Sequence, residues 1–98
     1  MNLYDFESMN RLGKLDYIIE CLYKAHSLFK IIHDSDCGLE QPLIDELEYL
    51  GSEFSRIGIM AEEGYFNGLY EEINKNLSKL SGIVTLVESY IYRHRTLN

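Results

Sequence analysis

The stretch Tyr70-Glu71-Glu72-Ile73-Asn74-Lys75-Asn76-Leu77-Ser78-Lys79-Leu80-Ser81-Gly82-Ile83-Val84-Thr85-Leu86-Val87-Glu88-Ser89-Tyr90-Ile91 places Tyr70, Ile73, Leu77, Leu80, Val84, Val87 and Ile91 at alternating intervals of three and four, and His94 continues the series. Side chains so spaced line one side of an α-helix, which turns every 3.6 residues. Glu71 and Lys75 make a favourable i,i+4 pair, and Arg93 and Arg95 sit at the negative end of the helix dipole. The pattern predicts a helix over about 68–95.

Upstream, Gly64-Tyr65-Phe66-Asn67-Gly68 reads as a short turn. Before it, Leu43, Leu47, Leu50, Phe54, Ile57 and Ala61 repeat the 4/3 spacing, which predicts a second helix over about 42–63. Pro42 suits its first turn, Asp45 and Glu46 sit near the positive end of its dipole, and Gly64 is a natural terminator. A third helix, first in chain order, is read over about 8–34 from Leu15, Ile18, Leu22, Ala25, Phe29 and Ile32, with Leu12, Ile19 and Leu28 widening the seam. Its start falls between Asp5 and Asn10, and Gly13 weakens its first turns by about 1 kcal/mol relative to alanine. Asp34-Ser35-Asp36-Cys37-Gly38-Leu39-Glu40-Gln41 has no periodicity and forms the main loop. Short connections make neighbouring helices antiparallel. The fold expected over residues 1–98 is one all-α domain, a small antiparallel bundle of three main helices.

The 98 residues are 46% hydrophobic and 26% charged, the composition of an ordinary folded domain. Gly51, Ser55 and Gly58 lie along one edge of the second helix, where small residues permit close approach of another backbone, within the chain or from a partner. Apolar residues off the seams (Tyr17, Tyr23, Ile31, Tyr49, Ile59, Leu86, Tyr92) suggest a homodimer, in which a second copy fills the groove three helices leave open.

Charge is distributed unevenly. Residues 34–72 hold eleven acids (Asp34, Asp36, Glu40, Asp45, Glu46, Glu48, Glu53, Glu62, Glu63, Glu71, Glu72) and a single base, Arg56, while the rest of the chain carries a surplus of bases. The net charge of −7 disfavours direct binding to nucleic acid or to an anionic membrane. At 100° per residue, Asp45, Glu46, Glu48, Glu53, Glu62 and Glu63 fall within an arc of about 200° opposite the seam. Six charges at a rise of ~1.5 Å per residue give about one per 4–5 Å. Duplex DNA carries one per ~1.7 Å, so one such helix is at most a partial DNA mimic.

No chemical motif rises above this pattern. Ala25-His26-Ser27-Leu28-Phe29-Lys30 resembles the Ala-His-Ser-Leu-Lys-Gly stretch of histidine phosphotransfer domains, helical bundles of about this size. The resemblance covers six residues and implies a phosphorylatable His26. The sequence departs where Phe29 intrudes before the lysine and Ile31 replaces the glycine that admits a receiver domain; Lys30 is thereby turned about 100° from its place in that motif. His26 is equally a histidine flanking the seam, on the side shared with His33.

His33, Asp34, Asp36 and Cys37 bring metal-capable groups together but supply only two of the four nitrogen or sulfur ligands a structural zinc requires. Read as a calcium loop, the segment puts Gly38 at the fifth position where the motif has the sixth. Nucleophile elbows, phosphate loops and Glu-x-x-His pairs are absent. No cofactor is called for. The acid-rich start Met1–Glu7 lacks the cationic region of a secretory leader, and no apolar run reaches the ~20 residues of a membrane span. Cys21 and Cys37 lie roughly 20 Å apart along a helix axis, too far for a disulfide. These features lead us to expect a cytoplasmic protein with reduced thiols.

The function expected is a non-enzymatic protein–protein interaction module that binds a basic surface of another protein. Asp45, Glu46, Glu48, Glu53, Glu62 and Glu63 would steer the partner, and Ile59, Tyr65 and Phe66 would anchor it. An inhibitor of a nucleic-acid-handling machine, of the anti-defence type that phages and mobile elements encode, belongs to this class. The alternative is a helical adaptor, chaperone or antitoxin that pairs its apolar seams with a partner's amphipathic helix.

Overall fold

The computed structural model describes residues 1–35 and 38–97, with side chains described through Arg93. It contains four helices: α1 (Leu3–Glu7), α2 (Arg11–Asp34), α3 (Gln41–Glu62) and α4 (Leu69–Leu97). The last three pack against one another pairwise as an antiparallel all-α bundle, and α1 lies on α4. Asp36, Cys37 and the side chains of His94 and Arg95 lie outside the described residues, and with them part of the metal reading, the cysteine spacing and the end of the α4 seam.

The element the periodicity did not predict is α1. Asn2 and Asp5 form a reciprocal capping box, the Asn2 side chain accepting from the Asp5 N–H at 2.9 Å and the Asp5 carboxylate from the Asn2 N–H at 3.1 Å. Phe6, 2% exposed, is its one buried residue. The chain then breaks, and α2 begins at Arg11 with Asn10 accepting from the Gly13 N–H at 2.8 Å. The expected weak first turn is therefore capped. A Cβ at residue 13 would stand 3.3 Å from the Asn10 Oδ1, so the glycine lets the cap close down.

Ile18, Leu50, Ile57, Leu69, Ile73 and Leu80 form the innermost core, with Cys21, Ala25, Ile32, Phe54, Ala61, Leu77, Val84 and Val87 around them. The core stripe of α2 is rotated from the expected one. Cys21 is buried and Leu28 half-buried, whereas Leu12 and Ile19, expected to widen the seam, are exposed. The reason is that α2 meets two neighbours. Tyr17 reaches Asn74 of α4, whose Nδ2 donates to the Tyr17 hydroxyl at 3.0 Å, and on the other flank Phe29 meets Phe54 of α3 edge-on at 6.1 Å. Burial raises the pKa of both the Cys21 thiol and the Tyr17 phenol.

The α3–α4 turn follows its glycines. Gly64 has φ +86°, its N–H donates to the Ala61 carbonyl, and the Tyr65 N–H donates to the Met60 carbonyl at 2.8 Å. That pair of bonds is a Schellman closure. Arg11 packs over Gly64 and donates to the Glu62 carbonyl at 3.4 Å, so any side chain at residue 64 would meet the guanidinium as well as strain the backbone. Gly68, at φ +78°, turns the chain into α4.

Candidate interaction surface

Helix α3 packs α2 on one flank and α4 on the other, so its third side faces solvent. Asp45, Glu48, Glu62 and Glu63 are exposed there, and Glu46 and Glu53 stand half-buried at the edge toward α4. Asp45 accepts from the Gln41 side chain at 2.8 Å. Among the described residues, none of Asp45, Glu46, Glu48, Glu62 and Glu63 forms an ion pair.

Glu53 behaves differently. Its Oε2 accepts from the Arg56 Nε at 2.6 Å, its Oε1 accepts from the Tyr49 hydroxyl at 3.0 Å, and Arg56 also reaches the Glu72 carboxylate at 3.1 Å. The hydrogen bond from Arg56, then that from Tyr49, holds the Glu53 carboxyl below its ordinary value; the same contacts raise the Tyr49 phenol and the Arg56 guanidinium. Of the six carboxylates expected to meet a partner, Glu53 is thus already engaged in a tie between α3 and α4. The sole base of residues 34–72 is spent on that tie. Glu53 and Arg56 are an i,i+3 pair within one helix, but Glu72 comes from another helix and only the fold brings it in.

The three expected anchors divide as well. Ile59 is 57% exposed and Tyr65 62% exposed, but Phe66 is half-buried. Its ring meets Phe6 edge-on at 6.4 Å, with the Lys14 ammonium 5.9 Å from both ring centroids. Phe6, Tyr17, Phe66 and Tyr70 form one aromatic cluster that fastens α1 and the turn to the bundle. Phe66 therefore serves the fold with most of the surface expected to serve a partner. The cluster was not legible, because its members come from four separate segments.

The small-residue edge of α3 is also divided. A Cβ at Gly58 would lie 3.3 Å from the Leu22 Cδ1, so α2 approaches closely there, whereas nothing lies within 4 Å of a Cβ at Gly51. His26 is exposed on α2, where it lines a shallow depression with Ser27, Lys30, Ile31 and Asp34. Phe29, the residue that interrupts the phosphotransfer-like stretch, packs inward on Phe54. His33 and Asp34 approach at 3.3 Å, and among the described residues no three His, Cys, Asp or Glu side chains are grouped to hold a metal. No described helix is long and apolar enough to cross a membrane. Compared with known proteins, the chain matches no family model, no curated sequence and no solved structure.

Proposed function

We propose that this protein is a non-catalytic interaction module whose acidic α3 face engages a basic surface of another protein. The observation that carries this reading is the row Asp45, Glu48, Glu62 and Glu63, exposed on the α3 side with no ion pair among the described residues, while Arg56 is committed to Glu53 and Glu72 and Arg11 to the Glu62 backbone carbonyl. Unpaired like charges repel and cost stability in the free protein, and a cationic partner relieves that cost while being steered to the site. Proteins that handle nucleic acid present such cationic surfaces, which makes an inhibitor of one of them the natural assignment. The charge spacing on one helix stays well below that of duplex DNA, so recognition combines these carboxylates with apolar contacts such as Ile59 and Tyr65.

Replacing Glu62 and Glu63 with lysine tests the reading. Both side chains are exposed, so the fold is retained, and capture of the partner should fall by about tenfold or more. Equal capture by the double variant removes the acidic face from the mechanism.

A further inference from the structure

Helix α1 and the glycine turn before α4 meet at one end of the bundle and leave a cleft of about 650 Å³ between them. Small-molecule sites commonly occupy roughly 300–1,000 Å³. Two features of the chain keep the cleft open. Gly64 and Gly68 carry the turn at positive φ with no side chain to fill the space, and nothing lies within 4 Å of a Cβ at Gly68. Phe6 in the aromatic cluster, and the Tyr70 hydroxyl, which donates to the Met1 carbonyl at 3.0 Å, hold α1 in place as the opposite wall. The apolar lining is Leu3 from α1, Tyr65 and Phe66 from the turn and Tyr70 from α4, with Leu3 and Tyr65 exposed.

One cation stands in this lining. Lys14 is half-buried, with its ammonium 5.9 Å from the centroids of both Phe6 and Phe66. The rings attract the charge, but they accept none of its three N–H donors in the way an oxygen would. Among the described residues Lys14 forms no ion pair, although Glu7 and Glu71 lie on the same lining; both are exposed. We infer that the cleft binds a small organic monoanion with a flat apolar body, such as an aromatic carboxylate. Its ring lies on Leu3, Tyr65 and Phe66, and its carboxylate accepts from the Lys14 ammonium. A second negative charge on the ligand would face Glu7 and Glu71, and a cationic ligand would meet an ammonium already seated on the rings. The site uses none of the α3 carboxylates, so it stands or falls apart from the acidic-face reading.

The test titrates the full chain with three probes that share one ring system: 1-naphthoate, 1-naphthylmethylammonium and 1-naphthyl phosphate. Naphthoate should saturate, shifting the backbone amide resonances of Lys14, Tyr65, Phe66, Gly68 and Tyr70, and the other two should bind more weakly by about tenfold or more. Lys14→Met keeps an apolar stem over Phe6 and Phe66 while removing the charge, and should weaken naphthoate by about tenfold with unchanged circular dichroism. Lys14→Arg should restore most of the binding. Naphthoate binding that is equal in Lys14→Met and the parent protein overturns the role of the ammonium. Equal or tighter binding of the naphthylmethylammonium makes the cleft a cation site and overturns the ligand class, and equal binding of the phosphate overturns the limit to one charge. If naphthoate leaves these amides unmoved, the inference fails.

Discussion

Gly51 and Gly58 stand two turns apart on α3 and differ in what surrounds them. Glycine in a helix interior costs about 1 kcal/mol relative to alanine, so Gly51→Ala, with open space around the new methyl, should stabilise the protein by roughly 0.5–1 kcal/mol in denaturant unfolding. Gly58→Ala should show little or none of that gain, because its methyl would press on Leu22. Glu53 supplies a second prediction at this scale. Arg56 and Tyr49 lower its pKa in the folded state, so the tie contributes stability above the ordinary glutamate pKa of about 4.3 and loses it as pH falls through the folded value. Glu53→Gln should therefore lower Tm near neutrality, and the gap from the parent protein should close as pH drops below about 4. A gap that stays constant across that range would show that the carboxylate charge contributes nothing.

At the scale of elements, three of the helices were legible because each repeats a 3/4 apolar spacing over many turns, and packing on neighbours reinforces what the pattern specifies. The fourth, α1, was not. Five residues are too few for a periodicity, and the signal it does carry is local, in the Asn2–Asp5 capping box and the single buried ring of Phe6. The α2 stripe was read rotated toward the wrong flank for a related reason. A sequence shows which side of a helix is apolar but not that two neighbours divide it, which buried Cys21 and left Leu12 and Ile19 outside. Since Phe6 holds α1 in the aromatic cluster, Phe6→Ala should cost about 3 kcal/mol and accelerate hydrogen exchange through residues 3–7 with α3 unaffected. Asn10→Ala should cost about 1 kcal/mol by uncapping α2. Unchanged exchange in α1 on loss of the Phe6 ring would mean that the cluster does not anchor it.

The whole molecule measures 53 × 23 × 17 Å, with a radius of gyration of 15.6 Å against about 13 Å for a compact chain of this length. Three long helices side by side make an elongated body in which each helix keeps one face in solvent, and on α3 that face is acidic. The acidic face could be read from the sequence because residues on one helix project at fixed angles. The engagement of Glu53 and Phe66 could not, because Glu72 and Phe6 reach them from elsewhere in the chain. The most direct test of the acidic face is affinity capture from nuclease-treated lysate, with the bound protein identified after washes at low and high salt. Exposed charge contacts are screened within about 8 Å at physiological ionic strength. A partner with a basic surface should be retained at low salt, released at high salt, and lost on the Glu62→Lys, Glu63→Lys variant. A partner that survives the high-salt wash and binds the variant as well as the parent protein would contradict binding through α3 carboxylates.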